Sequence, residues 1–459
     1  MAVGGNEAKG SRRGNVALAL VCVTALFFIW AFVTNLIDPL VKSMKVIYTL
    51  TDFESQLNQF AFFIAYGVVS IPAAWFLSRR GYANSIILGL IGVIAGCLIA
   101  WSTSVSQSFA TVLLGLFVAA SGITLLQVAA NPLIASMGDP KGAAFRLNLS
   151  QAFNSLGAYV GGTFGAAYLL KGELFEKDVV LTPALKADGL SFVTHVYLMI
   201  AGALVLFTLL VYLSRRTIAA NAPALSQKVE SPFSALGSRW ANLGALAIFL
   251  YVGAEVCVIS GMIFFLEQPH VLNVSALVAG YIAPIFMLLA MVGRFGGSVL
   301  LRFISPTRML AIVATGASLL CLIVIGTYAV PATPLGGTIA LPGGTQLPLT
   351  LGVIPAAAAI FLGLFNSIMF PTIFTLTLER STARASATSG LMCMAICGGG
   401  FISILYGAVI DLLIPAFPEG ARSLAFIVPL GCYLFVLWYA LAARHAPTHA
   451  IEEDAVAVH

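Results

Sequence analysis

Charge in this chain is confined almost entirely to short breaks between long apolar runs. Of its 459 residues only 9% are Asp, Glu, Lys or Arg, and 60% are hydrophobic, whereas a soluble domain carries about 25% charged residues. A mean hydropathy of +1.00 excludes both a soluble globular chain and a disordered one. A membrane-spanning helix needs about 20 mainly apolar residues, and the runs meet that length. Two carboxylates break the pattern: Asp38 and Glu255 each lie inside an apolar run. An acid in hydrocarbon costs about 2.5–3.5 kcal/mol on insertion scales, so it marks a place where the chain does work.

The remaining composition narrows the class. The net charge is +5, but Lys and Arg never run longer than two in a row, which argues against nucleic-acid binding. The seven cysteines all fall within apolar segments without metal-ligand spacing, so they read as small buried hydrophobes, and no metal site or disulfide framework is expected. The first apolar run, from about Asn15, is too long for a cleavable signal and lacks a small-residue cleavage pattern. It reads as a signal-anchor helix.

Twelve spans are predicted, near residues 16–47, 53–78, 82–102, 108–137, 143–170, 191–214, 237–267, 275–302, 307–330, 350–378, 384–413 and 421–443. The breaks carry charge or turn residues, as at Arg79-Arg80-Gly81, Gly138-Asp139-Pro140 and Pro331 to Pro348. With the N-terminus in the cytoplasm, 16 basic residues fall on inner segments and six (Lys42, Lys45, Lys171, Lys177, Lys186, Arg422) on outer ones. The remaining one, Arg294, lies inside the eighth span near the inner face. The positive-inside rule therefore puts both termini in the cytoplasm. The expectation is an all-α membrane protein with an N-terminal tail (1–15), a six-helix bundle (16–214), a polar cytoplasmic linker (215–236), a second six-helix bundle (237–444) and a tail (445–459). Six helices, a linker and six helices suggest an internal duplication.

The polar residues inside the spans carry the chemistry. Asn35 and Asp38 share a face of the first span, as do Gln127 and Asn131 in the fourth and Tyr251 and Glu255 in the seventh. Asn58 and Gln59 lie in the second span, Asn148, Gln151 and Asn154 in the fifth, and Asn366 precedes Phe370-Pro371 in the tenth. An amide both donates and accepts, as a sugar hydroxyl does. Trp30, Phe63, Tyr66, Phe264 and Phe370 are close in sequence to these amides and suit the apolar face of a pyranose. Each residue also has a plainer reading: amides glue helices together, and Asp38 or Glu255 can sit at a helix boundary. Asp411 reads as interfacial. Arg294 reads as snorkelling inward or pairing with a helix end. The pairs and triplet Gly161-Gly162, Gly296-Gly297 and Gly398-Gly399-Gly400 read as close helix contacts.

The stretch Ser121 to Leu133 (SGITLLQVAANPL), followed by Arg146 to Gly157 (RLNLSQAFNSLG), resembles the fucose:proton symporter family of the major facilitator superfamily. Leu250 to Glu255 (LYVGAE) and Gly363 to Phe374 (GLFNSIMFPTIF) resemble it further. The resemblance implies the major facilitator fold, a central cavity opening alternately to either side, and monosaccharide uptake driven by a cation gradient. It implies that Asp38 is the acid protonated and released during transport, that Gln151 and Asn154 contact sugar, and that Gln59 matches a second-span amide. Fucose-type members carry a Glu where this chain has Gln127, which cannot titrate. Gln127 with Glu255 looks instead like the glucose/galactose and N-acetylglucosamine branch, where some relatives are sodium-linked. The superfamily's signature after the second span is degenerate here, with Ser78 where Asp is usual.

The combined expectation is a monomeric, multi-pass symporter of the bacterial inner membrane. Asp38 and Glu255 couple a proton or Na+, and Asn35, Gln59, Gln127, Asn131, Gln151, Asn154, Tyr251 and Asn366 contact the sugar. No organic cofactor, metal or nucleic-acid partner is expected. A drug exporter of the same fold is the competing class, for which a less amide-rich cavity is expected. A channel or enzyme fits poorly, since the sequence holds no selectivity-filter repeat, intramembrane metal cluster or nucleophile–base pair.

Overall fold

The computed structural model describes residues 4–137, 143–170, 182–222, 231–301, 303–340, 346–383 and 385–447. The expected tails and linker lie partly outside the described residues, at 1–3, 223–230 and 448–459. The helices of the first half are α1 (Gly4–Asn35), α2 (Ile37–Tyr48), α3 (Asp52–Arg80), α4 (Tyr82–Trp101), α5 (Thr103–Ser106), α6 (Phe109–Ser136), α7 (Ala143–Leu169) and α8 (Pro183–Ala220). Those of the second half are α9 (Arg239–Leu266), α10 (Ala276–Ile282), α11 (Ile285–Leu300), α12 (Pro306–Gly326), α13 (Val353–Asn366), α14 (Met369–Arg380), α15 (Ala385–Met394), α16 (Gly398–Leu413), α17 (Ala421–Leu424) and α18 (Ile427–Ala443). Among the described residues, ten helical stretches are long and apolar enough to cross a membrane. The shorter apolar helix Leu20–Asn35 and the 27-residue α7 stand outside those ten.

Proline divides several of these stretches. A ring at position i withholds the N–H that would bond the carbonyl at i−4, and it disfavours helix at the preceding residue. Pro39 follows the break between α1 and α2, Pro284 lies between α10 and α11, and Pro371 follows the gap between α13 and α14. The long first span therefore resolves into two helices. Pro72, by contrast, is accommodated inside α3. The expected loop Pro331 to Pro348 contains a hairpin, β1 (Pro334–Ala340) antiparallel to β2 (Gln346–Thr350), with Ile339 opposite Leu347. Its irregular register falls where Gly336 and Gly337 take φ of 79° and 92°, a region open to glycine without steric cost.

Two large buried cores form, beside a small cluster of Ala235, Ala241 and Ala387. One gathers side chains from Val23 to Ile218, the other from Ala247 to Ala440. Each takes a little from the other half: Phe264 packs into the first, and Ala166 and Leu170 into the second. Helix α7 lies directly on α1, because a Cβ at Gly157 or Gly161 would collide with the carbonyl oxygens of Phe28 and Phe32. Small residues let helix backbones approach this closely in lipid, where packing rather than water exclusion drives association.

Candidate substrate and ion site

The amides of the first half are carried by α1, α3, α6 and α7. Gln127 on α6 donates Nε2–H to the Tyr66 hydroxyl at 2.8 Å, and the Tyr66 and Phe63 rings stack with centroids 5.8 Å apart. Gln59 is buried on α3. Asn154 on α7 donates to the Phe27 carbonyl at 3.2 Å, and the Phe27 ring lies 4.3 Å from that of Trp30. Asn35 donates to the Ala31 carbonyl at 2.9 Å, at the very end of α1. The Asn131 Oδ1 is buried without a hydrogen-bond partner, which leaves an acceptor open to a polar ligand. Asp38 belongs to α2, just past the proline break. Its side chain lies outside the described residues, as does that of Asn148.

In the second half, Tyr251 and Glu255 lie one turn apart on α9. The Tyr251 hydroxyl donates to Glu255 Oε2 at 2.9 Å and lies 3.1 Å from the Asn366 carbonyl, at the end of α13. The Asn366 amide is fully buried without hydrogen-bond geometry, beside the Tyr433 hydroxyl. The structure thus brings Tyr251, Glu255 and Asn366 together at a broken helix. Broken helices expose backbone groups for ligands where the protein shields them from lipid. Phe370 stacks on Phe374 at 6.0 Å.

One residue goes where the sequence did not send it. Arg294 neither snorkels to the surface nor reaches a helix end. Its guanidinium crosses from α11 to α7, donating to Ser155 Oγ and lying 3.5 Å from the Gln151 carbonyl. It links α11 of the second half to the amide-bearing α7 of the first. The signal was present as a lone Arg eight residues before Arg302, but its partner is 139 positions away. Phe264 stands apart from this constellation, ringed by Lys42, Lys45 and Arg422 at 4.6, 5.1 and 5.1 Å. Asp411, read as interfacial, accepts hydrogen bonds from the backbone N–H groups of Asp52 and Phe53 at 3.0 and 2.8 Å.

Comparison with known proteins agrees with this architecture. Residues 22–404 match the model of the Major Facilitator Superfamily. The chain is 38% identical over 432 residues to a glucose/galactose transporter of Brucella abortus, covering 94% of this chain and 95% of that protein. It is 31% identical over 449 residues to the L-fucose-proton symporter of Escherichia coli, covering 95% and 94%. The crystal structure of FucP, a superfamily transporter in the outward conformation, superposes with a TM-score of 0.65 at 28% identity, over 94% of this chain and 99% of that one. The ten apolar helices and these bacterial relatives make it a multi-pass protein of the bacterial inner membrane. On its helices, its motifs and its relatives, the chain belongs to the fucose:proton symporter family of the major facilitator superfamily.

Proposed function

We propose that this protein imports a monosaccharide, glucose, galactose or a related hexose, coupled to a proton by alternating access. In this reading the chain crosses the bilayer twelve times, as bundles 16–214 and 237–444, with both termini in the cytoplasm. It acts as a monomer and performs no chemistry on its cargo. The end of the molecule carrying Asp52 then faces outward, and the end carrying Arg80 faces the cytoplasm.

The observation that carries the reading is the acid-bearing cluster in the second half together with an Arg294 bridge from that half to the amide-bearing α7 of the first. Tyr251, Glu255 and Asn366 cluster at the break between α13 and α14. Arg294 ties the same half to α7, whose Gln151 and Asn154 belong to the amide set. A pyranose offers a ring of hydroxyls to such groups and an apolar face to Trp30, Phe63 and Tyr66. The glucose/galactose and fucose-proton relatives add weight to the same substrate class.

Coupling rests on Asp38. A carboxylate is expensive to enclose away from water while charged, and cheap once protonated. Protonation with sugar bound therefore permits the halves to rock, whereas an empty, ionised Asp38 resists closure and limits leak. Glu255 serves as a sugar contact or a second coupling group. Uptake into proteoliposomes tests this: sugar-induced pH change against sodium dependence, over glucose, galactose, fucose, mannose and N-acetylglucosamine. Asp38→Asn is expected to abolish accumulation against a gradient while sparing sugar exchange. Normal accumulation by that variant overturns the role of Asp38, uptake driven by sodium alone replaces the proton, and extrusion of drugs in place of sugar uptake moves the protein to the exporter class.

A further inference from the structure

The two halves meet at the Asp52 end through charge. Lys42 on α2 pairs with Glu267, which follows α9. Arg422 on α17 makes two parallel bonds to Asp52 at the start of α3, at 2.7 and 2.9 Å. Asp411, at the end of α16, caps the first N–H groups of α3. Phe264 inserts from α9 into the core of the first half, beneath Lys42, Lys45 and Arg422. One turn deeper, Ser260 donates to Gln56 at 3.0 Å. Each of these ties runs from one half to the other. Above them lies a cavity of about 400 Å³ lined by Lys42, Lys45, Thr49, Glu267, Gln268 and Arg422.

We propose that this cluster is the outward gate, an ion-pair latch plugged by Phe264 that holds the outer side shut while the chain faces the cytoplasm. The inference rests on the alternating-access reading above, but not on which sugar or ion is carried. Outward opening separates Lys42 from Glu267, Arg422 from Asp52, and Asp411 from the N-terminus of α3. One pair survives that separation: Lys45 lies in the same half as Asp52 and 2.7 Å from it. Asp52 therefore keeps a cation in either state, while Arg422 lets go. The carboxylate side chain of Asp52 is only 5% exposed and those of its two cations 15–18%, so salt screens these pairs weakly in the closed state. Loss of Lys42 or Glu267 leaves its partner, 22% or 13% exposed, as an unpaired half-buried charge between the closed halves, which is costly. Opening hydrates that charge, so the loss favours the open state. Glu267 and Phe264 also act as a unit, because Lys42 touches both.

Amide hydrogen exchange on the full-length protein in nanodiscs tests this without sugar or gradient, so it succeeds or fails independently of the transport assay. Lys42→Gln is expected to raise exchange about tenfold in peptides covering 42–56 and 260–272, and to lower it at the opposite end, in peptides covering 78–86 and 385–396. Glu267→Gln is expected to do the same and stands in if the first variant folds poorly. The exchanged pair Lys42→Glu with Glu267→Lys is expected to restore the parent pattern. Reciprocal change at the two ends distinguishes gate opening from simple destabilisation, which raises exchange at both. Unchanged exchange in both single variants, or a rise at both ends, overturns the gate.

Discussion

Tyr251→Phe removes one oxygen and nothing else, which makes it the sharpest probe of the candidate site. The hydroxyl is 2.9 Å from Glu255 Oε2 and 3.1 Å from the Asn366 carbonyl, and the residue is 2% exposed. It has a single proton to share between two acceptors. A hydrogen bond to a charged group is worth about 1.5–3 kcal/mol. If Glu255 is aimed at sugar by that bond, its loss weakens binding roughly ten- to hundredfold, at about 1.4 kcal/mol per factor of ten. The phenyl ring keeps its packing, so the protein is expected to fold and insert normally. Calorimetric titration of the purified protein with the transported sugar, with a thermal melt as control, reads both quantities. Glu255→Gln serves as the companion: it keeps the shape and removes the charge. Parent-like sugar affinity in both variants refutes the placement of Glu255 in the binding site. Loss in Glu255→Gln with parent-like Tyr251→Phe refutes only the positioning by Tyr251.

Two further outcomes are expected. Tyr197 buries a hydroxyl with no hydrogen-bond partner, so Tyr197→Phe is expected to leave stability unchanged or raise it by about 1 kcal/mol, read as the melting temperature in detergent; a clear loss would mean the hydroxyl has a partner. His270, between α9 and α10, is buried with its Nε2 at 2.7 Å from Ser423 Oγ, and burial pushes its pKa below the ordinary 6.5 while the Glu419 charge partly opposes this. The unfolded chain then binds the proton more readily, so His270 contributes stability that is fully present above about pH 6.5 and is lost as pH falls through the folded value. His270→Gln is expected to flatten melting temperature against pH over that range, and an unchanged slope would refute the assignment.

Membrane insertion was legible along the chain because it is a local property. Each apolar run satisfies its own backbone hydrogen bonds as a helix, and charge marks where the run leaves lipid. The i to i+4 pair Tyr251 and Glu255 was legible for the same reason: one helical turn brings them together whatever else the chain does. Proline breaks were visible as residues but not as outcomes. Pro72 sits inside a continuous helix, while Pro39, Pro284 and Pro371 adjoin gaps. Phe264 shows the limit most plainly. Nine residues after Glu255, it looked like a sugar platform, yet it is ringed by three cations drawn from α2 and α17.

The chain by itself determined its solvent, its class of fold and the kinds of side chain placed inside the bilayer, since hydropathy and helical periodicity need only neighbours in sequence. Tertiary structure decided the long-range partners of the charged groups. Asp411 finds the N-terminus of α3 across 359 positions, Arg422 finds Asp52 across 370, and Arg294 finds Ser155 across 139. A buried charge must be paired, but pairing distance falls off within a few ångströms, and only the packing of the two halves brings such residues that close.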